Sequence, residues 1–386
     1  MASPSPRLLI PALSFANFTI GVGAFMVIGV LAPVAAELRM SEAEAGLVMT
    51  VYAVAYAIGS PLLVALTGGL RRRDLLAGAL LLFAVAAVVI ALAESAGVLL
   101  FGRALAALGA GIVSPVIAAV AAASVAPEAR GRALAAAFFG FTLAQVMGIP
   151  LGAWVGYTFG WRVDFWAVAA LSLLAAAGAM RFVPANVSAE PGRLSALFAT
   201  LMDRRAMLAL SFTPLFVGAA YVFYTFATPI LETRMGMGRE GVSLFLFVTG
   251  AGAVAGNLIS GRLADRIGPA WTLGALSVVT ILVTPIFSLL PVPPLLLYGA
   301  TFLWSVFGWG FFAVQQNRLI AAVPERATVV LSLNSALLYL GVSLGSAAGS
   351  GLAAGFGLDA LGWGAAAVAA AALLNLVLVE RALRRR

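Results

Sequence analysis

Uncharged hydrogen-bonding side chains stand inside otherwise apolar segments at Asn17, Tyr52, Tyr56, Gln145, Tyr221, Tyr224, Gln315, Gln316, Asn317, Asn334 and Tyr339. Such groups can hold a molecule by hydrogen bonds. Phe216, Phe223 and Trp304 add apolar walls. Each of these residues alone reads as interhelical glue or as part of an interfacial belt rather than as a ligand contact. Together they fit a neutral or weakly polar small molecule, because an organic anion or a metal ion would need charge that these segments lack. There is no histidine and no cysteine, which removes the usual proton shuttle, the commonest metal ligand and all thiolate chemistry. No cofactor is expected, and no polar constellation is available to an enzyme.

Two further features carry chemical weight. In FGRALAALGAG, Phe101 to Gly111, a single arginine enters an apolar segment. Arg103 either snorkels to the membrane interface or lies near a translocation path, where it holds a neighbouring acid's proton or a substrate anion. In GFTLAQVMGIPLGAWVG, residues 140–156, glycines at 140, 148, 152 and 156 follow a four-residue step that Ala144 completes. Pro150 sits inside that ladder, although glycine and proline cost a helix in water about 1 and 3 kcal/mol. Small residues four apart let membrane helices approach closely. Gly148, Gly152 and Gly156 return as Gly341, Gly345 and Gly349 at a constant offset of 193, whereas Pro150 is matched by Ser343 and Gln145 by Leu338. The ladder therefore reads as packing that each half needs. Pro150 and Gln145 are the asymmetric residues, with Pro150 removing a donor and bending the helix. Pro150→Ala is expected to insert normally and change function, and Gly148→Val to cost folding as well.

The elements that must position these residues follow from composition. At 63% hydrophobic and 10% charged, with mean hydropathy +1.07, the chain has lipid as its main solvent. Breaking it at charges and turn residues predicts twelve spanning helices, at 8–34, 45–67, 75–93, 98–123, 132–157, 164–182, 206–231, 241–262, 270–290, 294–316, 328–352 and 358–380. The fold class is thus all-α and integral to the membrane. The predicted bundles are 1–182 and 206–386, joined by a cytoplasmic linker at 183–205. Of the 23 basic residues, all arginine, 18 fall in the tails, the linker and the even-numbered loops. By the positive-inside rule both termini are cytoplasmic. The net charge of +8 belongs to this topology, so no nucleic-acid partner is expected. GLRRRDLLAGAL (69–80) and DRIGPAWTLGAL (265–276) both follow an apolar span, as expected of two related halves. At Ser260 to Gly268, SGRLADRIG offers Gly261 for close helix contact. It also offers Asp265 as a helix cap or as a partner for Arg262 or Arg266. Ser41 and Glu44 form a capping-box pattern opening the second span. No acid lies in the middle of a span: Asp164 and Asp359 are at span ends, Glu232 and Glu240 flank a loop, and Glu94 ends the third span.

These motifs resemble the major facilitator superfamily, in particular its twelve-span drug:proton antiporters related to sugar, nucleoside and drug efflux permeases. The resemblance extends over essentially the whole chain. SGRLADRIG is similar to that family's loop signature, which implies that Gly261, Arg262, Asp265 and Arg266 latch one side shut; the first-half copy, VALTGGLRRR, has Gly68 in place of the acid. FGRALAALGAG resembles the family's arginine segment, and Gly148, Pro150 and Gly152 its antiporter signature. GWR at Gly160 to Arg162, QQNRL and VPERA add to the likeness. Relatives often carry a glutamate in the first span, and here AFMVIG has Ala24 instead. The resemblance implies a secondary transporter of the bacterial inner membrane, exporting a small organic molecule by alternating access and exchanging it for protons. Import or uncoupled facilitation of a neutral solute is the alternative. The lipid bilayer, the substrate and a coupling proton are the expected partners of a monomer. Asp164, Glu94, Asp265 and the substrate itself are the candidates to carry that proton.

Overall fold

A backbone in lipid has no water to bond, so its N–H and C=O groups must pair internally, and long apolar segments become helices. The computed structural model describes residues 6–126, 129–185, 199–323 and 327–384. Most of the expected linker (186–198) and the Pro324–Arg326 part of VPERA lie outside the described residues. Twelve helices are long and apolar enough to span a membrane. They are Leu8–Gly29, Glu44–Val64, Arg72–Ala91, Ala96–Ala123, Arg132–Phe159, Trp161–Phe182, Arg204–Met235, Arg239–Ile267, Pro269–Ser288, Pro294–Ala322, Val329–Phe356 and Leu358–Ala382, hereafter spans one to twelve. No strand occurs among the described residues.

Prolines interrupt spans seven and nine where their missing donors fall, whereas Pro61 and Pro115 sit inside continuous helices. Span seven is built from Arg204–Leu210, Phe212–Tyr224 and Ala227–Met235. Its breaks stand three to four residues before Pro214 and Pro229, whose rings cannot bond the carbonyls one turn back. Span nine tightens into the 3-10 turn Thr284–Ser288 around Pro285. The capping box expected at span two is formed: the Ser41 N–H and hydroxyl donate to Glu44 Oε2, each at 2.8 Å, and the Glu44 N–H donates to Ser41 Oγ at 3.3 Å.

The chain clusters into two units, one of Met1–Arg39 with Val54–Arg193, the other of Met40–Ala53 with Leu194–Arg386. Within the first, span one packs on spans five and six, and span three on four and six. Within the second the same pairings recur six spans later: seven with eleven and twelve, nine with ten and twelve. The glycine ladders form the closest of these seams. A methyl group at Gly148, Gly152 or Gly156 would overlap Val22 or Met26 of span one or Val30 just after it. One at Gly341, Gly345 or Gly349 would overlap Pro214, Gly218 or Val222 of span seven. The partners advance by four residues, as the glycines do.

Candidate functional site

Span five is not a plain helix. It runs α-helical over Arg130–Leu143, passes through one π turn at Ala144–Gly148, and resumes at Ile149–Phe159. The Ile149 N–H bonds back to the Ala144 carbonyl across the widened turn. Pro150 accounts for it: its ring cannot donate and would clash with the carbonyl one turn back, so an extra residue is taken into that turn. Gln145 lies half-buried in the π turn. Span eleven, whose helix is continuous over Ala327–Phe356, has no such turn. Pro150→Ala is expected to let the turn relax to α geometry. Folded yield should stay within about twofold of wild type while the transport rate shifts by about tenfold; gel filtration in detergent and vesicle flux measure the two.

Arg103 does not reach for the interface. It is fully buried, and its guanidinium donates to the carbonyls of Gly23 at 2.9 Å and Ala24 at 2.8 Å in span one. A fixed positive charge is thus held against the residue where relatives often carry an acid.

The uncharged polar residues are used first within their own units. Asn17 of span one donates to the Ala137 carbonyl of span five at 2.8 Å. In the second unit Thr213 donates to Asn334 Oδ1 at 2.6 Å, and Gln315 to the Ala209 carbonyl at 3.0 Å and Thr213 Oγ1 at 3.2 Å. Arg318, which arginine counting assigned to a loop, is buried. It donates to Glu380 at 2.8 Å, the Ala209 carbonyl at 3.0 Å and Gln315 Oε1 at 3.2 Å, tying spans seven, ten and twelve together. Aromatic residues cluster beside this network. Tyr221 and Tyr224 are buried, and with Trp304 and Trp309 they form ring contacts of 5.6–6.5 Å. Trp304 Nε1 has no hydrogen-bond partner among the described residues. Tyr52, on the part of span two that clusters with the second unit, lies 6.3 Å from Tyr339, and Tyr56 is buried one turn further along.

The loop motif behaves differently from expectation. Asp265 and Arg266 lie in the last turn of the helix Arg239–Ile267, so Asp265 caps no N-terminus; the next helix starts after Gly268. Among the described residues Asp265 pairs with neither Arg262 nor Arg266. A methyl group at Gly261 would have no neighbour within 4 Å, so no close helix contact forms there. In the first half, Arg72 donates to the Gly68 carbonyl at 3.3 Å.

Where spans one and five end and span six begins, residues that sequence reasoning had not joined form a brace. Arg162 pairs with Glu37, donates to the Ala93 carbonyl at 2.7 Å and covers the Trp161 ring at 4.3 Å. Trp161 Nε1 donates to Glu37 Oε2 at 2.7 Å. The GWR triplet was the only sequence signal. Desolvation raises the Glu37 pKa, but hydrogen bonds from Arg162 and Trp161 and the Arg162 charge outweigh it, leaving the carboxyl below its ordinary value. Its stabilisation is therefore full above the unfolded value and lost as pH falls through the folded one. Glu37→Gln is expected to lower stability near neutrality by less than about 1 kcal/mol, the pair being half-exposed. Thermal melts of the variant and wild type should converge in acid.

Residues 13–345 match the profile of the Major Facilitator Superfamily. A chloramphenicol resistance protein of Streptomyces lividans is 32% identical over 337 residues, covering 86% of each chain. The inner membrane transport protein YdhP of Escherichia coli is 30% identical over 374 residues, 96% of this chain and 95% of that one. Among solved structures, a bacterial homologue of the lysosomal transporter Spinster, inward-facing and occupied, superposes with a TM-score of 0.78 at 17% identity, covering 99% and 98% of the chains. The nucleoside transporter NupG does so with 0.77 at 13%, covering 97% and 99%.

Proposed function

The chain belongs to the Major Facilitator Superfamily, a transporter of small solutes and not an enzyme, and from that premise we propose that it exports a small, neutral, aromatic organic molecule in exchange for protons. Twelve apolar spans and its bacterial relatives make it a multi-pass protein of the bacterial inner membrane. The observation that carries the export reading is the π turn before Pro150, present in span five and absent from span eleven. The relative from Streptomyces lividans, a chloramphenicol resistance protein, supports both direction and substrate type. Tyr221, Tyr224 and Trp304 supply stacking faces for such a molecule, and the Trp304 N–H supplies a polar contact. In this reading 1–182 and 206–386 are the moving bodies of an alternating-access cycle, joined by 183–205, with both termini cytoplasmic. The protein works as a monomer, and Gly261, Arg262, Asp265 and Arg266 engage in a state other than this one.

The test is radiolabelled chloramphenicol, nucleosides and sugar analogues in everted vesicles from an overproducing strain, with and without a protonophore. Energy-dependent uptake into everted vesicles, abolished by the protonophore, is expected. Accumulation by intact cells would instead establish an importer, and protonophore-insensitive flux a facilitator.

A further inference from the structure

We propose that Asp164 is a proton-binding site: a carboxylic acid held neutral inside the first unit, which takes up and releases the coupling ion. The inference rests on the exchange reading above and names the residue that serves it.

Among the described residues Asp164 is the one buried carboxyl, 3% exposed, and its Oδ2 has no hydrogen-bond partner. It lies in the first turn of span six, beside the Gly156 step of span five, where a methyl group would overlap both Oδ2 and Val30, the residue after span one. An ionised carboxylate without donors in such a place is strongly disfavoured, whereas the protonated acid is tolerated. The charged groups nearby are engaged elsewhere or distant. Arg162 is turned to Glu37 and the Ala93 carbonyl, while Glu94 and Arg39 are exposed. Span three has its charges, Arg72, Arg73 and Asp74, at its opposite end, as span five has Arg132. A metal cation would need several oxygen ligands around it, and no group of acids suited to a metal occurs among the described residues. A proton needs only the one.

The repeat shows that the acid is no requirement of the fold. The second half has its own brace, Arg234 with Asp359 at 2.8 Å. The braced residues are 125 apart in the chain in both halves. Two residues beyond the brace the first half has Asp164 and the second Leu361, which is fully buried. A packing position filled by leucine in one half holds an acid in the other.

Infrared difference spectroscopy of the purified full chain, without any substrate, reads the site directly. At neutral pH the wild type is expected to show the carbonyl stretch of a protonated carboxylic acid. The band should shift in D2O, move in Asp164→Glu, vanish in Asp164→Asn and disappear only on alkaline titration. No protonated-acid band in the wild type at neutral pH, or one unaltered in both variants, overturns the proposal, and the wild-type titration decides even if a variant fails to fold. In liposomes, chloramphenicol accumulation driven by an imposed pH gradient is expected to fall about tenfold or more in Asp164→Asn, with partial recovery in Asp164→Glu. Unchanged gradient-driven accumulation in Asp164→Asn also overturns it. If the wild type moves no chloramphenicol under any gradient, the export reading for that compound fails, while the infrared result still decides the proton site.

Discussion

Gly345→Val is expected to yield almost no monodisperse protein. A side chain at Gly345 would run into the Gly218 backbone of span seven, and a methyl at neighbouring Gly341 into the Pro214 carbonyl. Backbone cannot rotate aside as a side chain can, so relief requires spans seven and eleven to separate along their seam. The cost is at least about 3 kcal/mol, the upper end of overpacking penalties. Gly148→Val meets Val22 Cγ2 and the edge of Phe18, both side-chain atoms, and should cost clearly less. Gly178→Val, with nothing within 4 Å, is the control: its stability should stay within about 1 kcal/mol of wild type. Gel-filtration profiles and melting midpoints in one detergent rank the three. Equal loss in all of them would show that glycine is needed there for something other than approach.

Arg103→Met is expected to remove transport by about a hundredfold and stability by about 3 kcal/mol, two charge-assisted hydrogen bonds being lost in a buried site. The carbonyls of Gly23 and Ala24 are both met by one planar fork, which an ammonium cannot reproduce. Arg103→Lys should therefore fall between methionine and wild type in both measurements. Because arginine stays protonated throughout the accessible range, neither deficit should depend on pH between mildly acidic and mildly alkaline buffer. Wild-type flux in Arg103→Met would reduce the residue to a packing strut.

Both experiments rest on features of unequal legibility in the sequence. Twelve spans could be read because lipid demands apolar length, and length survives without any contact being known. The glycine ladder could be read because its step is regular and recurs in the other half. Its partners on spans one and seven could not, since valine, methionine and proline look like any other lipid-soluble residue. Pro150 announced a bend, but whether a helix kinks or admits a π turn depends on the clash one turn back, which needs coordinates. Arg103 left two readings open because an arginine's reach is as long as the distance to the interface; only the position of Gly23 and Ala24 chooses between them. Asp164 was legible as an acid at a span end, but its burial was not, because the arginine two residues before it pairs with Glu37, far away in sequence.

The two braces differ in one respect: their signs are reversed. In the first half the acid follows span one and the base opens span six; in the second the base closes span seven and the acid opens span twelve. Because the halves share their helix pairings, each newly inserted helix meets a rival docking partner of nearly the same shape. Were span twelve to dock where span six belongs, Asp359 would meet Glu37; were span six to dock on span seven, Arg162 would meet Arg234. Like charges juxtaposed are penalised and opposite ones rewarded, so the reversed pairs would disfavour such cross-docking, by no more than about 1 kcal/mol for pairs this exposed. Reversing Glu37 and Arg162 together is expected to keep an ion pair at this place while giving both halves the same order of charge.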